Sequence, residues 1–244
     1  MNSGRHQTPM KSIPLLVLAG GFGTRLQSVV NDVPKPLAPV HGKPFLDFLL
    51  ENWLEAGIVH FAFLLHHKAK SVKVHLNQTF AQPQFKHCQY QTIVEPVPLG
   101  TGGAIAHALR EMQYEGDFIA VNADTWLPDG MQKMIEAQAP SMATTHVANC
   151  NRYGKVISQN SVITAFEEKK SQAESGWINA GLYRLNSQLL ENWTEGAMSL
   201  EATILPNLVK SGKMQAVQCD CDFIDIGVPE DYEYFQEMIA AQGQ

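Results

Sequence analysis

Ile13-Pro14-Leu15-Leu16-Val17-Leu18-Ala19, followed at once by Gly20-Gly21-Phe22-Gly23-Thr24-Arg25-Leu26, decides how this chain folds. The uncharged apolar run, ended by glycines, reads as a strand buried on both faces. The glycines let backbone amides approach an anion, and a helix N-terminus beside them would add a favourable dipole. A tight turn after a strand would explain the same glycines. Two familiar loops are ruled out by their residues. A dinucleotide fingerprint needs a third glycine where Leu26 stands, and a P-loop needs a Gly-Lys-Ser/Thr ending.

Outward from this strand, apolar runs alternate with amphipathic stretches. Pro44 to Ala56 reads as a helix, with Pro44 in its first turn, Phe45, Leu46, Leu49, Trp53 and Leu54 on one face and Gly57 as its stop. Strands are expected at Val59–Leu65, Tyr90–Val94 and Asp117–Val121, and helices at Ala69–Leu76 and Thr101–Met112. This β-α alternation implies a parallel sheet with helices on both faces. The second half is richer in strands: Ala143–Ala148, Lys155–Ser158, Val162–Phe166, Trp177–Leu185, Met214–Cys219 and Phe223–Ile226. A helix is expected over Leu200–Lys210, and a last one from Pro229 to about Ala240.

The 244 residues are 45% hydrophobic and 17% charged, enough to bury a substantial core. A formal charge of -6 argues against nucleic acid or an anionic membrane as partner. Cys88, Cys150, Cys219 and Cys221 are too irregularly spaced for a disulfide framework, so a reducing cytoplasm is the expected location. Cys219-Asp220-Cys221 lacks the second pair of a zinc site and reads as a solvent-edge strand. The polar residues 1–11 read as a loose tail with no export signal, and no apolar run is long enough to span a bilayer. Residues 12–244 read as one domain of two lobes, monomeric or a small homo-oligomer.

Arg25 and Lys35 sharpen the reading of the glycine loop. Attack of one phosphate on another brings anions together, and cations must offset the repulsion. Arg25 can fork onto two phosphate oxygens, and Lys35 sits on a backbone stiffened by Pro34 and Pro36.

The stretches LAGGFGTRL at 18–26 and PKPLAPVHGKPFLDFLL at 34–50 resemble the N-terminal signature of the sugar-1-phosphate nucleotidyltransferase family. The likeness continues in order through EPVPLGTGGAI from Glu95, VNADT from Val121, FEEKK from Phe166, INAGLY from Ile178 and FIDIGVPEDY from Phe223. It implies a three-layer, Rossmann-like α/β fold on a central mixed, mostly parallel sheet. It also implies a nucleotide-binding lobe at about 12–125, a sugar-binding lobe at about 126–228, and a C-terminal helix. The implied substrates are a nucleoside triphosphate and a sugar 1-phosphate, and the implied cofactor is Mg2+.

Residue by residue, the resemblance gives catalysis to Arg25, Lys35, Asp124 and Asp225, with the two aspartates as metal ligands. Read without it, Asp124 is a turn aspartate and Asp225 a capping one. Leu18, Ala19, Gly20, Gly21, Gly23, Thr24 and Arg25, together with Glu95, Gly100 and Thr101, fall at nucleotide-binding positions. Leu99-Gly100-Thr101-Gly102-Gly103 resembles the base-recognition loop, where Glu95 or main-chain groups near Gly100 would meet the nucleobase edge. Asn122, Tyr153, Gly154, Glu168, Lys169, Asn179, Ala180 and Gly181 fall at sugar-phosphate positions, with the amide of Asn179 for hydroxyls and Gly181 for close approach. Where the family usually has glycine before the first aspartate, this chain has Ala123. His66-His67 reads as structural or solvent-facing, the two rings pointing opposite ways on a strand.

The phosphate chemistry needs no general base. The second pKa of a phosphate monoester is about 6, so the sugar phosphate is mostly dianionic at neutral pH. A direct displacement with inversion at phosphorus is expected. Within the family, SVVNDVPKPLAPVHGKPFLDFLL, NRYGKV and FIDIGVPEDY most resemble the D-glycero-α-D-manno-heptose 1-phosphate guanylyltransferases. The sequence stops soon after its last helix, which is expected to leave out the β-helix domain of bifunctional relatives. Uridylyltransferases for N-acetylmuramate or glucose 1-phosphate, glucosamine 1-phosphate guanylyltransferases and a non-catalytic nucleotide-sugar sensor are the alternatives; an NAD-linked dehydrogenase fails on the fingerprint.

Overall fold

A computed structural model describes residues 13–30, 32–167 and 174–242. Strand β1 (Leu15–Leu18) is the hub. After it the chain passes through two short 3-10 turns and a hairpin of β2 (Pro39–Val40) and β3 (Lys43–Pro44), then enters helix α1 (Phe45–Glu55). His41 and Gly42 both have positive φ, the conformation a two-residue hairpin turn demands. Strand β4 (His60–Leu65), α2 (Ala69–Thr79), β5 (Gln89–Val94), α3 (Gly100–Glu111) and β6 (Asp117–Asn122) complete the alternating half. Then follow β7 (Thr125–Trp126), α4 (Gly130–Glu136), β8 (Ser141–Val147), β9 (Lys155–Gln159), β10 (Val162–Glu167) and β11 (Gly176–Asn186). The chain ends with α5 (Leu205–Lys210), β12 (Gln215–Cys219), β13 (Ile224–Asp225) and α6 (Pro229–Gln242).

The main sheet has the order β5-β4-β1-β6-β11-β8-β12-β10-β9. β5, β4, β1 and β6 run parallel, and β11 is antiparallel to both β6 and β8. Residues of β1 alternate between two cores, which accounts for its unbroken apolar sequence. Leu15 and Val17 pack with α1, α2, α4 and α6; Leu16 packs with α3 and α5. This gives three layers, helix–sheet–helix. The parallel strands β1, β4 and β6 send their C-terminal ends, Leu18, Leu65 and Asn122, to one edge of the sheet, where an α/β crevice forms.

Three expectations need correction. The helix read over 200–210 is broken: a π-turn covers Leu200–Ile204 and the α-helix begins at Leu205. Pro206 lacks the N–H that a continuous helix would use and crowds the turn before it. The strand read over 223–226 shrinks to β13, which among the described residues pairs with β7 alone, outside the main sheet. Cys219 is not on a solvent edge: β12 lies between β8 and β10, and the side chain is fully buried. Helix α4 had no expectation at all, because Gly130 and a short apolar face give little periodic signal. Among the described residues no helix is long and apolar enough to cross a membrane.

Candidate active site

The loop after β1 threads between its two parallel neighbours. Ala19 N–H donates to Leu64 O at 3.0 Å, and Ala123 N–H donates to Leu18 O at 3.1 Å. Gly23 has φ 61, and a Cβ there would stand 3.0 Å from Lys35 Cβ, so both backbone and space call for glycine. The turn then closes as a five-residue 3-10 helix, Thr24–Ser28, carrying Arg25. The helix N-terminus expected beside the loop is therefore that of a short 3-10 turn.

The two aspartates meet through β7 and β13. β6 delivers Asp124 two residues past its end at Asn122, and Ile226 N–H donates to Asp124 O at 3.0 Å. Asp225 faces Thr125 across the two-strand ribbon. Both carboxylates converge on one cation: Lys35 Nζ donates to Asp124 Oδ2 at 2.6 Å and to Asp225 Oδ1 at 3.5 Å. Gly227 N–H donates to Asp225 Oδ1 at 2.8 Å. A Cβ on Gly227 would lie 2.7 Å from that oxygen, 2.9 Å from Lys35 Nζ and 3.3 Å from Arg25 Nη2. The glycine thus marks the point where Arg25, Lys35 and Asp225 crowd together.

Two cavities meet at this point, sharing Leu18, Gly21 and Asp124 in their walls. The smaller, about 210 Å³, is lined by Gly23, Thr24, Arg25, Lys35 and Gly227 among others, a cationic chamber. The larger, about 380 Å³, is lined by Gly20, Phe22, His66, Glu95, Gly100, Thr101, Asn122 and Glu201. Glu95 is buried, and burial pushes its pKa up against the opposing bond from Leu99 N–H to Oε2 at 2.8 Å. Gly20 is the residue that admits this carboxylate: a Cβ there would lie 2.8 Å from Oε1.

The nucleotidyl transferase family model matches residues 15–242. The chain belongs to the nucleotidyl transferase family. It is 33% identical over 223 residues to a D-glycero-alpha-D-manno-heptose 1-phosphate guanylyltransferase of Campylobacter jejuni, covering 90% of this chain and 97% of that one. A protein of the same name from Aneurinibacillus thermoaerophilus is 32% identical over 228 residues, 91% and 96% of the two chains. The crystal structure of HddC from Yersinia pseudotuberculosis superposes with a TM-score of 0.81 at 32% identity, covering 93% of this chain and 99% of that one. HddC has also been crystallised with GMP-PN.

As a nucleotidyl transferase the chain is an enzyme that moves a nucleotidyl group, and of the other expected positions Tyr153, Gly154, Asn179, Ala180 and Gly181 line neither cavity. Gly100 and Thr101 line the larger one, yet the glycines of that loop answer to packing within the protein. A Cβ on Gly100 would stand 2.7 Å from Met198 O, and Cβ atoms on Gly102 and Gly103 would press on backbone of Leu200 and Gly196. Asn122 lines the same cavity and explains Gly181, whose φ is +70 and whose Cβ would lie 2.5 Å from Asn122 Nδ2. Asn179 has its amide engaged inside the protein: Oδ1 accepts from Gly181 N–H at 2.9 Å and Nδ2 donates to Tyr183 Oη at 2.8 Å. It braces the irregularity of β11 between Asn179 and Tyr183, where Ala180 is buried.

Tyr153 stands near Asp225, its ring edge-on to Phe223 at 5.6 Å, and its hydroxyl accepts from Arg152 at 2.6 Å. Burial first, and then the charge of Asp225, push its pKa up to about 12. Gly154 is tight for a different reason: a Cβ would meet Glu167 O at 2.9 Å. Glu168 and Lys169 lie outside the described residues.

Sequence reasoning missed four site residues. His66 is past the end of β4, so strand alternation does not govern it; both His66 and His67 approach Phe22, at ring distances of 5.9 and 5.2 Å. His66 lines the larger cavity rather than facing solvent alone. Glu201 reaches that cavity from the π-turn and accepts from Thr101 Oγ1 at 2.6 Å and Ser199 Oγ at 2.9 Å. Gly227 and Phe22 complete the set. Only the GGFG and DIG contexts of the last two offered any signal.

Proposed function

We propose that this nucleotidyl transferase joins GMP from GTP to D-glycero-α-D-manno-heptose 1-phosphate, releasing pyrophosphate, with Mg2+ held by Asp124 and Asp225. The observation that carries it is the convergence of Asp124, Asp225, Lys35 and Arg25 at the junction of a cationic chamber and a larger cavity. Guanine suits the buried carboxylate of Glu95. Its N1–H and N2–H are adjacent donors, a match for carboxylate oxygens, whereas uracil offers one N–H between two carbonyls that a carboxylate repels. The names of the two relatives and the GMP-PN complex of HddC support the base, and the names support the sugar.

The residues present fit a magnesium ion. Among the described residues no three His, Cys, Asp or Glu side chains cluster, but magnesium commonly takes one or two carboxylates and completes its shell with phosphates and water. Two carboxylates already directed at one cation are such a donor set. When bound, the ion supplies charge neutralisation of the phosphates. The protein's own part is alignment and charge. Arg25 and Lys35 draw the triphosphate into the smaller chamber, so that the sugar phosphate attacks the α-phosphorus from the larger cavity's side and pyrophosphate leaves. The dianionic sugar phosphate is its own nucleophile, so no side chain has to take a proton.

A matrix of nucleoside triphosphates against sugar 1-phosphates, scored by pyrophosphate release with magnesium, tests the proposal. The expected maximum is GTP with the heptose phosphate. A maximum at UTP with a hexose or N-acetylmuramate phosphate overturns the substrate assignment, and no release with any pair overturns the reaction.

A further inference from the structure

Lys35 stands where the proposed ion belongs. Its Nζ touches a carboxylate oxygen of Asp124 and lies 3.5 Å from one of Asp225, and its side chain is only 10% exposed. Magnesium–oxygen contacts are about 2.0–2.1 Å, so an ion held by both carboxylates and the Lys35 ammonium contest one position. The stem of the lysine is fixed: Pro34 holds an extended φ of -65, Pro36 is buried, and Gly23 abuts Lys35 Cβ. What remains free to swing is the end of the side chain. Lys35 also lines the cationic chamber beside Arg25, so a polyanion there offers the ammonium a second partner within its reach.

We infer that Lys35 is a built-in counter-ion that keeps a divalent ion off the Asp124–Asp225 pair until a triphosphate draws the ammonium away. This rests on the reading that the two aspartates hold magnesium. One lysine thereby serves two anions in turn, and makes metal loading depend on the nucleotide. Without nucleotide, the two carboxylates are already partly neutralised, and an entering ion must displace a paired charge at contact distance.

The test is a titration of the full chain with Mn2+ and no nucleotide, following free ion by electron paramagnetic resonance. Wild type is compared with Lys35→Met, which keeps the stem and drops the charge, and with Lys35→Arg, which keeps a cation. Lys35→Met is expected to bind one Mn2+ about tenfold tighter than wild type. Lys35→Arg should stay near wild type, and adding Asp225→Asn to Lys35→Met should remove the gain. Circular dichroism checks folding, with Lys35→Gln as a second uncharged variant held to the same expectation. Uncharged variants that bind no tighter than wild type overturn the inference. If wild type already binds tightly and Asp225→Asn abolishes it, the inference fails while the metal site stands. If Mn2+ binding ignores Asp225 in every variant, the metal site fails and takes the inference with it.

Discussion

Replacing Asp225 with asparagine removes one negative charge while keeping nearly the same shape. Its oxygen can still accept from Gly227 N–H, now at 2.8 Å, so the β13 turn retains its bond. The ion pair lost is the longer of two: Lys35 Nζ keeps Asp124 Oδ2 at 2.6 Å when the 3.5 Å contact goes. Two unit charges about 4 Å apart attract by about 4 kcal/mol at an effective dielectric of 20. Relief of repulsion between Asp124 and Asp225 offsets much of that, and the side chain is one-fifth exposed to water. The net stability change should stay within about 1 kcal/mol. Activity stands differently, because the lost carboxylate is half of the proposed ion's protein ligands. Removing one preorganised electrostatic group of this kind costs about 10² to 10³ in turnover, or about 3–4 kcal/mol. Urea unfolding gives the first quantity and the rate of pyrophosphate release gives the second. Equal losses in stability and activation free energy would refute the reasoning and make Asp225 a structural residue.

Gly181→Ala should destabilise the fold by about 1–3 kcal/mol in urea, because φ +70 and the 2.5 Å approach to Asn122 Nδ2 both oppose a methyl; a shift below about 0.5 kcal/mol would mean that Asn122 moves freely aside. Inosine triphosphate, which lacks the guanine 2-amino group, should raise KM about tenfold in the wild type and much less in Glu95→Gln. Burial raises the pKa of Glu95, so its accepting, ionised form is lost on acidification sooner than for an ordinary glutamate near about 4.3. The KM for GTP should therefore climb as pH falls through that raised value, and a flat KM in Glu95→Gln over the same window is the control. A chiral α-phosphorothioate of GTP should react with inversion; net retention would require a nucleotidylated enzyme and contradict direct displacement.

The parallel half of the sheet was open to reading because burial on both faces leaves a strand no polar positions, as in Leu15–Leu18 and Phe61–Leu65. α1 was equally plain, its apolar stripe being buried nearly as the spacing required. Residues such as β7 and β13 were not, since a two-residue pair carries no periodicity. Yet that ribbon brings Asp124 to Asp225, and the lysine between them is 89 and 190 residues away from its partners. Local sequence holds no information at such separations unless a family pattern supplies it. In the base loop, main-chain groups near Gly100 were expected to meet the nucleobase edge, and the structure adds that Gly100, Gly102 and Gly103 make room for the segment from Gly196 to Leu200, a contact across the fold. Glu201 entered the site by the same contact, through a π-turn that Pro206 helps to enforce.

The proposed reaction depends on where a nucleotide and its ion settle. A crystal structure of the chain with a non-hydrolysable GTP analogue and Mn2+, phased to show the metal's anomalous signal, measures this directly. The expected result is one metal peak between Asp124 and Asp225, Lys35 Nζ shifted onto the phosphates beside Arg25, and the guanine edge against Glu95. A nucleotide bound with its metal away from both aspartates, or with Arg25 and Lys35 turned from the phosphates, would contradict it.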